Sequence, residues 1–142
     1  MALTNTTIQN ILKLLMQAVN WANIADNAGS SPATIIYVSL HTADPGTSGN
    51  QTTNEAAYTS YARVAVARDG TGWSLSGNTI SPGANINFPT STGGSETETF
   101  AGIGLSSSGA GVLLWSGAIT PSIVVTSGVT PQLTTASTIT LA

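Results

Sequence analysis

Cysteine is absent from this chain of 142 residues, which excludes disulfide frameworks and thiolate metal sites and leaves the redox compartment open. Charge is nearly as scarce. Charged residues make up 6% of the chain, against roughly a quarter in an ordinary soluble domain. Lys13, Arg63 and Arg68 are the only Lys or Arg residues. They are too few for the basic footprint that a phosphate backbone demands, so no nucleic acid partner is expected. Long apolar runs are missing as well. Polar residues punctuate the N-terminal apolar stretch, and Met1-Ala2-Leu3 carries no basic segment, so neither a secretory signal nor a membrane partner is expected. Histidine occurs once, as His41.

What is present indicates a folded chain. Hydrophobic residues reach 41% and the net charge is −3, whereas disordered chains pair low hydrophobicity with high charge. The length suits one domain overall. Residues 7–25, "TIQNILKLLMQAVNWANIA", predict a helix with an apolar stripe at Ile8, Ile11, Leu12, Leu15, Val19 and Ala22. Thr6 and Gln9 read as its capping box, and Asp26-Asn27-Ala28-Gly29 as its stop. Lys13, Gln17 and Asn20 keep the other face polar. Residues 1–30 are thus expected to form a helical segment that packs on the domain or on a neighbour.

Beyond Ser30 the sequence changes to short apolar runs separated by glycine and proline. "TIIYVSLH", "SYARVAVAR", "GWSLSG", "NTIS", "NINFP", "ETETFAGIGL", "GVLLWSGAI", "SIVVTS" and "STITLA" all read as strands. With no further helix and no repeat, residues 31–142 are expected to form a mainly β domain, an antiparallel β-sandwich or a jelly-roll-like barrel.

Candidate chemistry is thin. His41 lies where a strand enters a turn, with Asp44 three residues on, but no serine sits in a Gly-x-Ser-x-Gly elbow. One histidine makes a poor zinc site. A structural histidine bonded to backbone is the reading adopted here, with no catalytic residue, metal or cofactor expected. Asp44-Pro45-Gly46 closes a turn: Asp bonds its own downstream backbone, Pro presets φ, and Gly accepts a positive φ. Glu96 and Glu98 alternate on one strand face, and a solvated sheet edge is where such a pair is expected. "GIGLSS" lacks the helix and the ribose-binding acid of a dinucleotide loop. Trp73 and Trp115, with Tyr58, Tyr61 and nearby Asn and Thr, are candidates for a glycan-binding surface, although buried aromatics usually serve packing.

The opening "MALTN", then Leu40 to Gly46 ("LHTADPG"), Asn54-Glu55 with Tyr61-Ala62-Arg63, Ile86 to Pro89, and "FAGIGLSSSGAGVLLWSGAIT" follow one another in fixed order. Together they resemble a family of small tailed-bacteriophage virion proteins, often labelled tail fibre proteins; similar small β proteins decorate capsids. The resemblance implies a non-enzymatic structural role in the virion. It makes His41, Asp44, Pro45, Gly46, Glu55, Tyr61 and Arg63 a structural signature, and the opposite charges of Glu55 and Arg63 suggest a pair. The leading expectation is a capsid decoration (cement) protein on the outside of the shell. It would act as a homo-oligomer, a trimer by analogy with threefold shell sites, contacting the major capsid protein or other virion proteins. A tail or tail-fibre module that contacts host glycans is the alternative.

Overall fold

A computed structural model describes residues 3–22, 24–26 and 32–142. The chain is mainly β, with one N-terminal helix. It divides into two compact units: Met1–Ile35 with Ala67–Ile86 and Leu133–Ala142, and Ile36–Val66 with Asn87–Gln132. The boundary expected between residues 30 and 31 lies outside the described residues, as does most of the expected helix stop, Asn27 to Gly29.

In the first unit, helix α1 (Asn5–Met16) begins two residues earlier than the sequence predicts and ends far sooner. Thr4, with extended backbone, is the N-cap, and its hydroxyl accepts from the Thr7 amide at 3.3 Å; Thr6 already lies inside the helix. At the other end Ala18 takes φ +55°, a left-handed conformation that stops helical propagation. The last carbonyls of a helix need outside donors. Arg68 supplies them, giving Nε to the Leu15 carbonyl at 2.6 Å and Nη2 to that of Leu14 at 2.5 Å. A cation at this end also complements the helix dipole. Ile8, Leu12 and Met16, spaced four apart, are the buried residues of the helix, and α1 packs on strand β3 (Trp73–Ser76). Val19 and Ala22, expected in the stripe, are exposed beyond the helix end.

Strand β3 pairs antiparallel with β4 (Thr79–Pro82) from Trp73↔Pro82 to Ser76↔Thr79. Gly77 takes φ +58° at the first position of the two-residue loop, the place where tight hairpins favour glycine. β4 pairs in turn with β9 (Ile139–Thr140).

The second unit holds most of a four-stranded sheet, ordered β2-β1-β6-β7: β2 is Val64–Ala67, β1 Ile35–His41, β6 Glu96–Gly104 and β7 Leu113–Val125. β1 runs antiparallel to β6 from Tyr37↔Gly104 to His41↔Phe100. β6 and β7 form a long hairpin, Gly104↔Leu113 to Glu96↔Val125. β7 joins two runs that the sequence separates at Pro121. Between Ala118↔Phe100 and Ile123↔Glu98, residues 119–122 stand opposite Thr99 alone. Such an irregularity accommodates a proline that cannot donate to the ladder. Two short strands, β5 (Ile86–Asn87) and β8 (Gln132–Leu133), complete the set.

The expected class forms, mainly β and antiparallel with one N-terminal helix; the three sheets are open, so of the two expected architectures the barrel does not close among the described residues. Glu96 and Glu98 lie on β6 beyond the end of its pairing with β1 and opposite Val125 and Ile123 of β7, and Glu98 is fully buried where a solvated edge was expected. Alternation reveals a face; it does not reveal whether that face is covered.

Candidate functional site

The described residues concentrate their polar contacts around the "LHTADPG" loop. Asp44 closes the turn as its residue type predicts: Oδ1 accepts from the Gly46 amide at 2.8 Å, and Gly46 takes φ +70°. Asn54 donates Nδ2 to the Asp44 carbonyl at 3.0 Å. Pro45 is buried, and a Cβ on Gly49 would collide with the Pro45 carbonyl.

His41 is fully buried at the end of β1. Its Nδ1 lies 2.9 Å from the Thr53 carbonyl and its Nε2 2.8 Å from the Ser39 hydroxyl. A carbonyl only accepts, so Nδ1 carries the proton. Burial pushes the imidazole pKa down, opposed by the Thr53 carbonyl and by Glu55. The neutral ring then accepts from Ser39 at Nε2. Serine and histidine within bonding reach are the core of a nucleophilic dyad, but here neither is exposed to solvent. Gly102 packs directly over both: a Cβ there would lie 2.6 Å from His41 Nε2 and 2.7 Å from Ser39 Oγ. The pair ties strand to loop.

The charges beside it form one network. Arg63 grips Glu55 with two parallel bonds, Nε to Oε1 at 2.6 Å and Nη2 to Oε2 at 2.8 Å, the geometry in which guanidinium and carboxylate bind most strongly. Arg63 is 2% exposed and Glu55 15%. Glu55 raises the Arg63 pKa through this hydrogen bond. Tyr61 donates to Glu55 Oε1 at 3.0 Å and accepts from the Leu40 amide at 3.1 Å; burial pushes its phenol well up. The remaining Arg63 donors reach the carbonyls of Ser106 (2.8 Å) and Gly109 (2.7 Å), in the turn joining β6 to β7.

That turn is held a second time. Gln51 is fully buried. Its amide exchanges two bonds with the Ser106 backbone, donating to the carbonyl at 3.2 Å and accepting from the N–H at 2.9 Å. Gly104 and Gly111 make room for it, because a Cβ on either would run into the Gln51 side chain.

A different cluster surrounds Glu96 and Glu98. Glu96 Oε1 accepts from the amides of Ala57 at 2.9 Å and Tyr58 at 2.7 Å. Glu98 is 0% exposed, and no donor among the described residues reaches either of its carboxyl oxygens. Burial, with Glu96 beside it, raises its pKa to about 8.

The aromatic candidates separate. Trp73 is 1% exposed and belongs to the core of the first unit, so its ring offers no glycan platform. Tyr58 is buried, donating to the Pro89 carbonyl at 3.0 Å. Trp115 is half-buried with its indole N–H enclosed. Among the described residues, no three His, Cys, Asp or Glu side chains gather as metal ligands.

Of the signature residues, Asp44, Pro45 and Gly46 form the turn itself, and His41, Glu55, Tyr61 and Arg63 gather beside it; Ser39, Gln51 and the enclosing glycines join them, and the sequence does not single these out. The Gly102 and Gly104 alternation, set on one strand face, was the available signal: two missing side chains on that face leave space for two others.

The chain is mainly β, its polar residues brace its loops, and its sequence blocks run in the order found in a family of small structural proteins of phage virions. The family is specific. Residues 2–141 match the model of podophage GP4 fiber I protein gp80, and the chain belongs to that family. No curated protein is similar enough to the chain to count as a match.

Proposed function

We propose that the chain is a non-catalytic subunit of a phage fibre, working through contacts with neighbouring copies and other virion proteins. The observation that carries this reading is the family match over residues 2–141, with the word fiber in the family's description. Surface composition supports it. The last charged residue is Glu98, so β7 contains none, although it ends the four-stranded sheet. Edge strands that must stay alone usually carry charge or are kept short. β7 runs thirteen residues and exposes Val124 at 61%. An uncharged surface suits protein contacts, where charged groups would have to be desolvated and paired. A homo-oligomer is the simplest assembly of this kind, and three copies suit a fibre axis as well as a threefold shell site.

A second reading, decoration of the outer capsid shell, is favoured by one observation. The sequence has no coiled coil or repeat from which a long shaft is built. Mapping the chain on the particle and counting its copies separates the two. A few tens of copies or fewer at the tail support the fibre; hundreds over the shell replace it with decoration. Contact with host glycans, which the fibre reading allows, is tested by glycan-array binding with Trp115→Ala as control. The absence of catalysis is tested by His41→Ala, which should leave any esterase, protease or glycosidase reading unchanged; turnover lost with that substitution overturns it.

A further inference from the structure

Glu98 is the one ionisable side chain among the described residues that is fully buried, acidic and without a donor. A carboxylate so placed would forgo hydration and receive nothing in exchange. Its neighbour explains how it is tolerated. Glu96, two residues earlier on β6, is anchored through Oε1 by the Ala57 and Tyr58 amides. Both are backbone N–H groups, which only donate, so Glu96 meets them with an acceptor oxygen. Two adjacent carboxylates, one of them fully buried, do not both ionise; one retains a proton. The groups facing Glu98 offer no countercharge. From the segment before β2 comes Tyr58, whose hydroxyl is committed to the Pro89 carbonyl. From β7 come Ile123, opposite Glu98, and Val125, opposite Glu96. On β1 the nearest titratable residue is His41, opposite Phe100. No Lys or Arg is among the groups acting on it.

We propose that Glu98 is held as a neutral carboxylic acid donating a hydrogen bond to the Glu96 carboxylate, and that this shared proton is a latch fastening β6 to the Ala57–Tyr58 segment that opens as the solution turns alkaline. On opening, the proton passes to hydroxide, forming water, and two carboxylates are left side by side. Their repulsion and the rehydration of Glu98 draw β6 away from the segment that Glu96 holds.

The sign follows from linkage. The folded pKa of Glu98, about 8, lies above its ordinary value of 4.5, so the folded state binds the proton more tightly than the unfolded chain does. The stabilisation is complete below the ordinary value and is lost as pH rises through the folded one. The folding equilibrium constant falls about tenfold per pH unit across that window.

The test is a carbon-13 titration of the glutamate carboxyls in the intact chain, with urea unfolding at each pH. Glu98 should read as a protonated acid at pH 7 and titrate near pH 8, with the Ala57 and Tyr58 amide resonances shifting in step. Glu98→Gln, which keeps a donor and cannot ionise, should remove the alkaline fall in stability. A Glu98 signal that reads as carboxylate at pH 7 overturns the proposal. So does an alkaline fall that persists in Glu98→Gln, or marked stabilisation of the wild-type chain at pH 7 by calcium or magnesium chloride, since a cation would then be doing the work of the proton. Should Glu98→Gln fail to fold, the titration of the unaltered chain decides alone.

Discussion

Arg63 shows what one residue does in a chain with so little charge. It is nearly buried, bonded twice to Glu55 and once each to two carbonyls of the β6–β7 turn. Removing one partner of such a pair strands the other, so Arg63→Ala should cost about 3–5 kcal/mol in urea unfolding. Lysine, with a single ammonium, should recover only part of the loss. Gly104→Ala should cost about 1–3 kcal/mol by forcing its methyl group into Gln51; paired with Gln51→Ala, the two costs should not add. His41 and Glu98 set opposite pH dependences. His41, held neutral by burial below its ordinary 6.5, contributes stability that is lost as pH falls from 6.5 toward its folded value. Glu98 contributes stability lost as pH rises from 4.5 to about 8. The two oppose each other below 6.5, so the net fall should stand out between 6.5 and 8, measured by urea midpoints. The Glu55–Arg63 pair was legible because opposite charges are conspicuous here. Ser39 and Gln51 were not: serines and amides are common in this sequence, and only the enclosing glycines mark these two out.

Among the elements, the strands were the legible part. Alternating apolar runs bounded by glycine and proline locate β1, β3, β4 and β6 to within a few residues. The helix was legible in kind and not in length, because its end is set from outside. Arg68, more than fifty residues away in sequence, takes the carbonyls of Leu14 and Leu15, and no local pattern carries that information. Leu12, fully buried on the helix that packs on β3, should be the sensitive position: Leu12→Ala should cost about 2–5 kcal/mol. Leu15, half-buried, should cost clearly less. Calorimetry on the two variants checks the order, and equal losses would mean that the helix is turned differently. Proline usually ends a strand, so the sequence divides β7 in two; the extra residues opposite Thr99 are what allow it to continue.

For the whole molecule, the order in which segments enter each unit matters more than either unit's strand count. The chain passes between the units at Ile35/Ile36, Val66/Ala67, Ile86/Asn87 and Gln132/Leu133. A chain ending at Gln132 should keep every segment of the second unit while the first loses β9 from its sheet. Amide exchange on that truncation should therefore show faster exchange along β4 than along β6. Synthesis on the ribosome meets the same arrangement. The helix and the β3–β4 hairpin emerge early, but the strand that completes their sheet lies at residues 139–140. The first unit to begin is the last to be finished, and while about sixty further residues are made Thr79 and Ile80 await their partners on β9.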